Sequence, residues 1–215
     1  MNIIFDNLDL WGLALWNTLV LFIGGAVIAV FLGTVLGVMR VSSVPAARAI
    51  GTAYVNLVRN TPLTLVFFIF VFGYPSLGLP RLDYTALAIT AIGLYAATYV
   101  TEVLRSGFNT IPVGQAEAAR ALGMTFGQVM GHVVLPQAFR SVVPPLISAL
   151  IAILKMTTIA AGFSVLELGA VRANLSERGE NALGVLLWVA LVFVLLVAIM
   201  SLAQRSLEKK WKIIR

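Results

Sequence analysis

LWGLALWNTLVLFIGGAVIAVFLGTVLGVM, the stretch from Leu10 to Met39, runs for thirty residues without an Asp, Glu, Lys or Arg. About 20 mostly apolar residues carry an α-helix across the hydrocarbon of a bilayer, so this stretch can span one with residues to spare. It is long for the core of a secretion signal, and Met1 to Asp6 supply no basic region before it, so it reads as a retained span. Gly24, Gly25, Gly33 and Gly37 mark a face where another helix can approach closely. Working outward, residues 60–80, 84–101 and 181–204 are further charge-free runs of 21, 18 and 24 residues. A fifth stretch, about 142–166, qualifies if Lys155 is accommodated inside it. The whole chain is 60% hydrophobic and 11% charged. A soluble domain is nearer half apolar and a quarter charged, so the class is integral membrane and all-α.

The net charge of +6 could suggest nucleic acid, but its distribution points to topology. With five spans and the N-terminus outside, ten of the fifteen basic residues fall on the cytoplasmic side: Arg40, Arg48, Arg105, Arg120, Arg140, Arg205, Lys209, Lys210, Lys212 and Arg215. The external segments hold Arg81, Arg172 and Arg178, with six of the nine acids. That asymmetry obeys the positive-inside rule and puts the C-terminus in the cytoplasm. No nucleic-acid partner is expected. The absence of cysteine and the single histidine, His132, leave no thiol chemistry, metal set or catalytic triad. Neither Ser nor Thr follows any of the four lysines, so there is no P-loop for ATP.

The predicted organisation is one membrane domain over 1–215, with spans at about 11–39, 50–73, 84–104, 142–166 and 182–203. Span 2 is interrupted by Arg59-Asn60-Thr61-Pro62, where proline removes a backbone donor and kinks the helix. Pro144-Pro145 stand at the start of span 4, expected near Val142. Segments near 74–83 and 167–181 are external. The cytoplasmic loop, about 105–140, breaks at Ile111-Pro112-Val113-Gly114 and predicts a short helix from Gln115 to Leu122. Gly123 closes it as a left-handed cap, Glu117 suits the positive end of its dipole, and Thr125 caps a second stretch. A small-residue helix on a membrane protein's inner face needs something to dock against.

Glu117-Ala118-Ala119, a gap of three, Gly123, a gap of nine, then Val133-Val134-Leu135-Pro136 resembles the EAA loop of bacterial ABC importer permeases. Val133 stands where isoleucine is usual. Arg59-Asn60-Thr61-Pro62-Leu63, Gly114-Gln115, Pro136-Gln137-Ala138-Phe139-Arg140 and Lys155-Met156-Thr157-Thr158-Ile159 resemble the polar amino acid uptake branch, over about residues 13–168. The overall pattern looks closest to glutamate permeases.

The resemblance implies a type I ABC importer permease fold in the bacterial inner membrane. It implies a coupling helix in which Glu117, Ala118, Ala119, Gly123, Leu135 and Pro136 meet a cytoplasmic ABC ATPase dimer. It also implies a second permease subunit, identical or related, and an extracytoplasmic binding protein that delivers substrate to the outer loops. ATP and Mg would be bound by the ATPase, so this chain carries no cofactor and is not an enzyme. Closure of the ATPase dimer would drive the coupling helices together and turn the cavity outward, and hydrolysis would reset it, giving alternating access. The competing reading is a non-transport assembly or sensory subunit that docks an ATPase, disfavoured by the lack of an output domain.

Lys155 is the sharpest anomaly in the spans. A lysine at mid-helix costs about 2.5–3.5 kcal/mol, and six neighbouring Leu and Ile residues offset about 2–3.5 kcal/mol, so span 4 should not turn Lys155 to lipid. It either snorkels or is tied to backbone carbonyls, or it faces a wet path with Thr157 and Thr158. Met156 stands where similar permeases for cationic amino acids often have aspartate, which favours an anionic or neutral substrate meeting Lys155. Arg59, Asn60 and Thr61 are the other candidates for the path, with Arg59 equally readable as an interfacial anchor.

Overall fold

The computed structural model describes residues 2–210, and Lys212 and Arg215 of the basic tail lie outside them. After a helical turn at Asn2–Phe5, the opening apolar run becomes one helix, α1 (Leu8–Val41), with Arg40 in its last turn, where the dipole favours a cation. Four more helices are defined by their ends. They are α2 (Pro45–Arg59), α3 (Leu63–Ser76, which contains a π-helical stretch at Ile69–Gly73), α4 (Tyr84–Phe108) and α5 (Val113–Ala121). They are followed by α6 (Leu135–Met156), α7 (Val171–Glu177) and α8 (Ala182–Lys210). The described residues contain no strand.

The pairing of α1 with α4 sets the topology. Gly24 lies on Ile89, Gly25 on Ile92, Gly33 on Val100 and Gly37 on Leu104, so residue numbers rise together and the helices run parallel. The glycines let the backbones meet, and the Thr101 hydroxyl donates to the Gly33 carbonyl across the seam (3.1 Å). Parallel neighbours need the intervening chain to return across the bundle, and α2 and α3 make that return.

They make it as a corner. The predicted kink in span 2 is a 98° break between two helices. Asn60 and Thr61 turn their side chains back to the Asn56 and Leu57 carbonyls (2.8 and 2.9 Å), which closes α2, and Pro62 has no N–H to continue the ladder. α3 then climbs against α4 through Leu63, Val66, Phe67 and Val71.

α6 runs back antiparallel to α4: Val142 seats on Gly107 near one end, and Ile153 meets Ile92 and Gly25 further along. This helix begins at Leu135, seven residues before the predicted start, and Pro144 and Pro145 sit inside it. Pro136 occupies the first turn instead, where a missing N–H costs nothing. A 3₁₀ segment, Thr157–Phe163, ends at Ser164, whose φ of +62° turns the chain into 164–181. Phe163 stacks on Phe67 (5.0 Å between centroids) and meets Phe68 edge-on (5.1 Å). α8 is the fifth crossing, held to α6 through Ser148 and Gln204 (3.1 Å), with most of its surface outside the bundle. With α2 and α3 counted as one broken span the chain crosses five times, which puts the two ends of the described chain at opposite faces.

Candidate functional site

The loop at one face of the bundle carries the predicted caps, but α5 runs Val113–Ala121 and not 115–122, so Glu117 lies beyond its first turn and not at the positive end of its dipole. α5 ends in a Schellman cap: Gly123, at φ +84°, donates its N–H to Arg120 (2.9 Å), and Met124 donates to Ala119 (3.2 Å). Thr125 and Gln128 form a reciprocal capping box that starts the next turn. A π-helical segment, Val129–Val134, then delivers Leu135 and Pro136 to the head of α6.

Ala119 is buried against the protein's own body, whereas Glu117, Ala118 and Arg120 are exposed. The two alanines therefore divide the work, one seating the helix and the other offering a Cβ-only surface outward. Leu122 is 84% exposed and Val113 and Phe126 are each 73% exposed, which makes the flank apolar as well as small. A recess of about 490 Å³ opens beside it, lined by Leu122, Gly123, Met124, Gln128 and His132. Leu135 and Pro136 are exposed at the root of α6. The Gln137 amide donates to the Gln115 side chain (2.7 Å) and to the Val133 carbonyl (2.8 Å), tying α5 to α6.

Close by, at the ends of α1 and α4, sits a charged cluster. Glu102 accepts from Arg105 through Nε and Nη2 (3.1 and 2.9 Å), an i,i+3 pair on one helix face. Its other oxygen takes Arg40 of α1, and Arg40 is the more buried of the two cations. Arg40, read from sequence as a topology residue, thus clamps α1 to α4.

The substrate-path candidates form two groups. Arg59 ends α2 with its guanidinium 5.4 Å from the centre of the Tyr99 ring, a cation–π geometry, and has no acidic partner among the described residues. Asn60 beside it is exposed and Thr61 half-buried; both donate to their own helix, leaving their oxygens free to accept. Lys155 is exposed and has no ion-pair partner among the described residues, and it lines a recess of about 480 Å³ with Thr158, Phe193, Val194, Val197 and Ala198. Thr158 donates to the Lys155 carbonyl (2.8 Å). Thr157 is fully buried and donates to Leu154 (2.8 Å), so its hydroxyl packs inside the bundle. No hydrogen bond or ion pair among the described residues joins the Arg59 corner to Lys155.

Four apolar helices long enough to cross a bilayer, or five spans with α2 and α3 taken as one broken span, define a multi-pass membrane protein. Residues 25–213 match the family model described as the binding-protein-dependent transport system inner membrane component, and the chain belongs to that family. Its members are multi-pass inner-membrane permeases, not themselves catalysts. The chain is 40% identical over 209 residues to the glutamate transport system permease protein GluC of Corynebacterium efficiens, covering 92% of each. It is 33% identical over 210 residues to the probable glutamine ABC transporter permease protein GlnM of Bacillus subtilis, covering 98% and 97%. Among solved structures, an amino acid ABC transporter with histidines superposes with TM-score 0.90 at 24% identity over 96% of both chains. The MetNI methionine ABC transporter, in inward-facing form, gives 0.77 at 22% identity over 97% and 99%. At those identities the structures establish the shared fold.

Proposed function

We propose that this chain is the permease through which an ABC importer brings a polar L-amino acid, glutamate first among candidates, into a bacterial cell. The observation that carries the reading is the loop helix, closed by Gly123 and presenting Glu117, Ala118 and Leu122 outward from a body that holds no P-loop. An ABC ATPase dimer docks there and at Leu135-Pro136, and supplies ATP and Mg chemistry. Charge supports the orientation: Arg40, Arg105, Arg120 and Arg140 cluster at the loop face, which makes it cytoplasmic and the N-terminal face external. A binding protein hands substrate to the segments near 74–83 and 167–181, and a second permease completes the pathway.

Glutamate is favoured by the GluC relative and by the chemistry of the path. Among the described residues Arg59 and Lys155 are exposed cations without acidic partners, Met156 offers no acid beside Lys155, and Asn60, Thr61 and Thr158 supply further polar groups. Reconstitution with the cognate ATPase and binding protein tests this by uptake of labelled glutamate against unlabelled glutamate, glutamine, aspartate and arginine. Competition by the acidic and amide amino acids, and not by arginine, is the expected result. Strongest competition by arginine would overturn the assignment.

A further inference from the structure

Among the described residues, Glu167 is the one charged-type side chain with no exposure at all. Neither carboxyl oxygen has a hydrogen-bond partner. The Thr18 hydroxyl donates to the Ala14 carbonyl (2.9 Å) and the Ala170 N–H to the Glu167 backbone carbonyl (2.9 Å), so these two donors and the Gly169 N–H beside the carboxyl only partly offset its burial. Gly169 makes the space, because a Cβ there would lie 2.5 Å from Glu167 Oε1. On either side the chain is stitched to α1. The Asn17 amide donates to the Leu166 carbonyl (2.7 Å), and the Leu168 N–H donates to Thr18 Oγ1 (3.0 Å). Beyond lies an apolar cluster of Trp11, Ala14, Leu168, Val171, Leu175 and Val185.

The charged groups of the surrounding elements point away. Asp9 on α1 and Arg172 and Glu177 on α7 are exposed, Glu180 is only half-buried, the first turn of α8 has no acid, and Arg178 reaches Asn7 (3.3 Å). An ionised carboxylate so placed would lack both water and a counter-ion, which a buried site cannot sustain. Burial accordingly pushes the Glu167 carboxyl up to about 7.

We propose that Glu167 is a proton-binding site that latches segment 164–181 to α1: the carboxyl is neutral while the segment lies on α1 and ionises when the segment lifts into water. The closed latch holds one proton, and opening releases it. Ser164, already in the left-handed turn conformation, joins the segment to the 3₁₀ helix and is the pivot. The closed form has the raised proton affinity, so low pH keeps the latch shut. From the ordinary carboxylate value of about 4.3 up to about pH 7, each pH unit multiplies the open-to-closed ratio by about ten, and above about 7 the gain levels off because the closed form ionises too. Calling this face external rests on the orientation proposed above, whereas the latch does not.

The chain has no cysteine, so nitroxide labels at Gly12→Cys and Ala173→Cys report on α1 and α7 without background. In lipid nanodiscs, the interlabel distance should lengthen for the parent protein as pH rises from about 5.5 to about 8.5. The same pair carrying Glu167→Gln should stay at the short distance throughout. Infrared spectra at about pH 5.5 should show the carbonyl band of a buried neutral carboxylic acid, lost in Glu167→Gln. A pH-invariant distance in the parent protein, an unchanged titration in Glu167→Gln, or a missing band would each overturn the latch. Neither readout involves an ATPase or transport, so failure here leaves the importer reading standing, and failed uptake leaves the latch standing.

Discussion

Gly33→Ala perturbs the seam on which the whole topology rests. A Cβ at residue 33 would sit 2.6 Å from Val100 Cβ and 2.8 Å from the Ala97 carbonyl oxygen. Neither atom can rotate away, so α1 and α4 must part by several tenths of an ångström, and Thr101 then loses its reach to the Gly33 carbonyl. Overpacking of this kind costs about 1–3 kcal/mol, and replacing a mid-helix glycine returns about 0.5–1 kcal/mol. The net loss is therefore about 0–2.5 kcal/mol, centred a little above 1 kcal/mol. Two other glycines of α1 calibrate the effect. Gly12 has nothing within 4 Å, so Gly12→Ala should keep the full helical gain of about 0.5–1 kcal/mol. At Gly24 the obstacle is the branched end of Ile89, at 2.9 to 3.2 Å, which can shift, so Gly24→Ala should fall between. Thermal unfolding in one detergent, followed by size exclusion, should rank the variants Gly12→Ala above Gly24→Ala above Gly33→Ala. Equal stability of Gly33→Ala and Gly12→Ala would refute the parallel α1–α4 seam.

The clamp at the ends of those helices makes a second prediction. Arg40→Met should cost about 1.5–3 kcal/mol, because Glu102 keeps only Arg105. A double-mutant cycle with Glu102→Gln should show coupling above 0.5 kcal/mol, roughly the threshold for residues in contact; additivity would mean that the pair does not form. In the path, Lys155→Met should abolish glutamate uptake while the complex still assembles. Unchanged uptake would return Lys155 to a purely structural role.

Hydropathy was enough to read the five crossings, because charge-free runs near 20 residues have few other uses. Fixed spacing did the same for the loop helix: Glu117 through Gly123 carries its cap, its small face and its stop signal locally. What lay outside the sequence's reach was set by tertiary contact. The 98° corner depends on how far Asn60, Thr61 and Pro62 act together, where proline alone signals only a kink. The early start of α6 was hidden because Pro144 and Pro145 read as a boundary, while Val142 against Gly107 holds the helix through them. Arg40 looked like one more inner-face cation until α4 brought Glu102 to it. Glu167 looked like an external acid because nothing in its neighbours announces that Gly169 and Thr18 enclose it.

The proposed function stands on a separate ATPase gripping this chain at Glu117 to Gly123. Co-purification of the cognate ABC ATPase with the intact permease, set beside Glu117→Lys and Gly123→Asp, measures it most directly. Glu117→Lys inverts the charge on the exposed face, and Gly123→Asp places a side chain at φ +84°, which costs about 1–2 kcal/mol in the cap. Both variants should remain monodisperse in detergent and lose the ATPase. Retention of the ATPase by both, at parent-like yield, would mean that the ATPase does not dock on this helix.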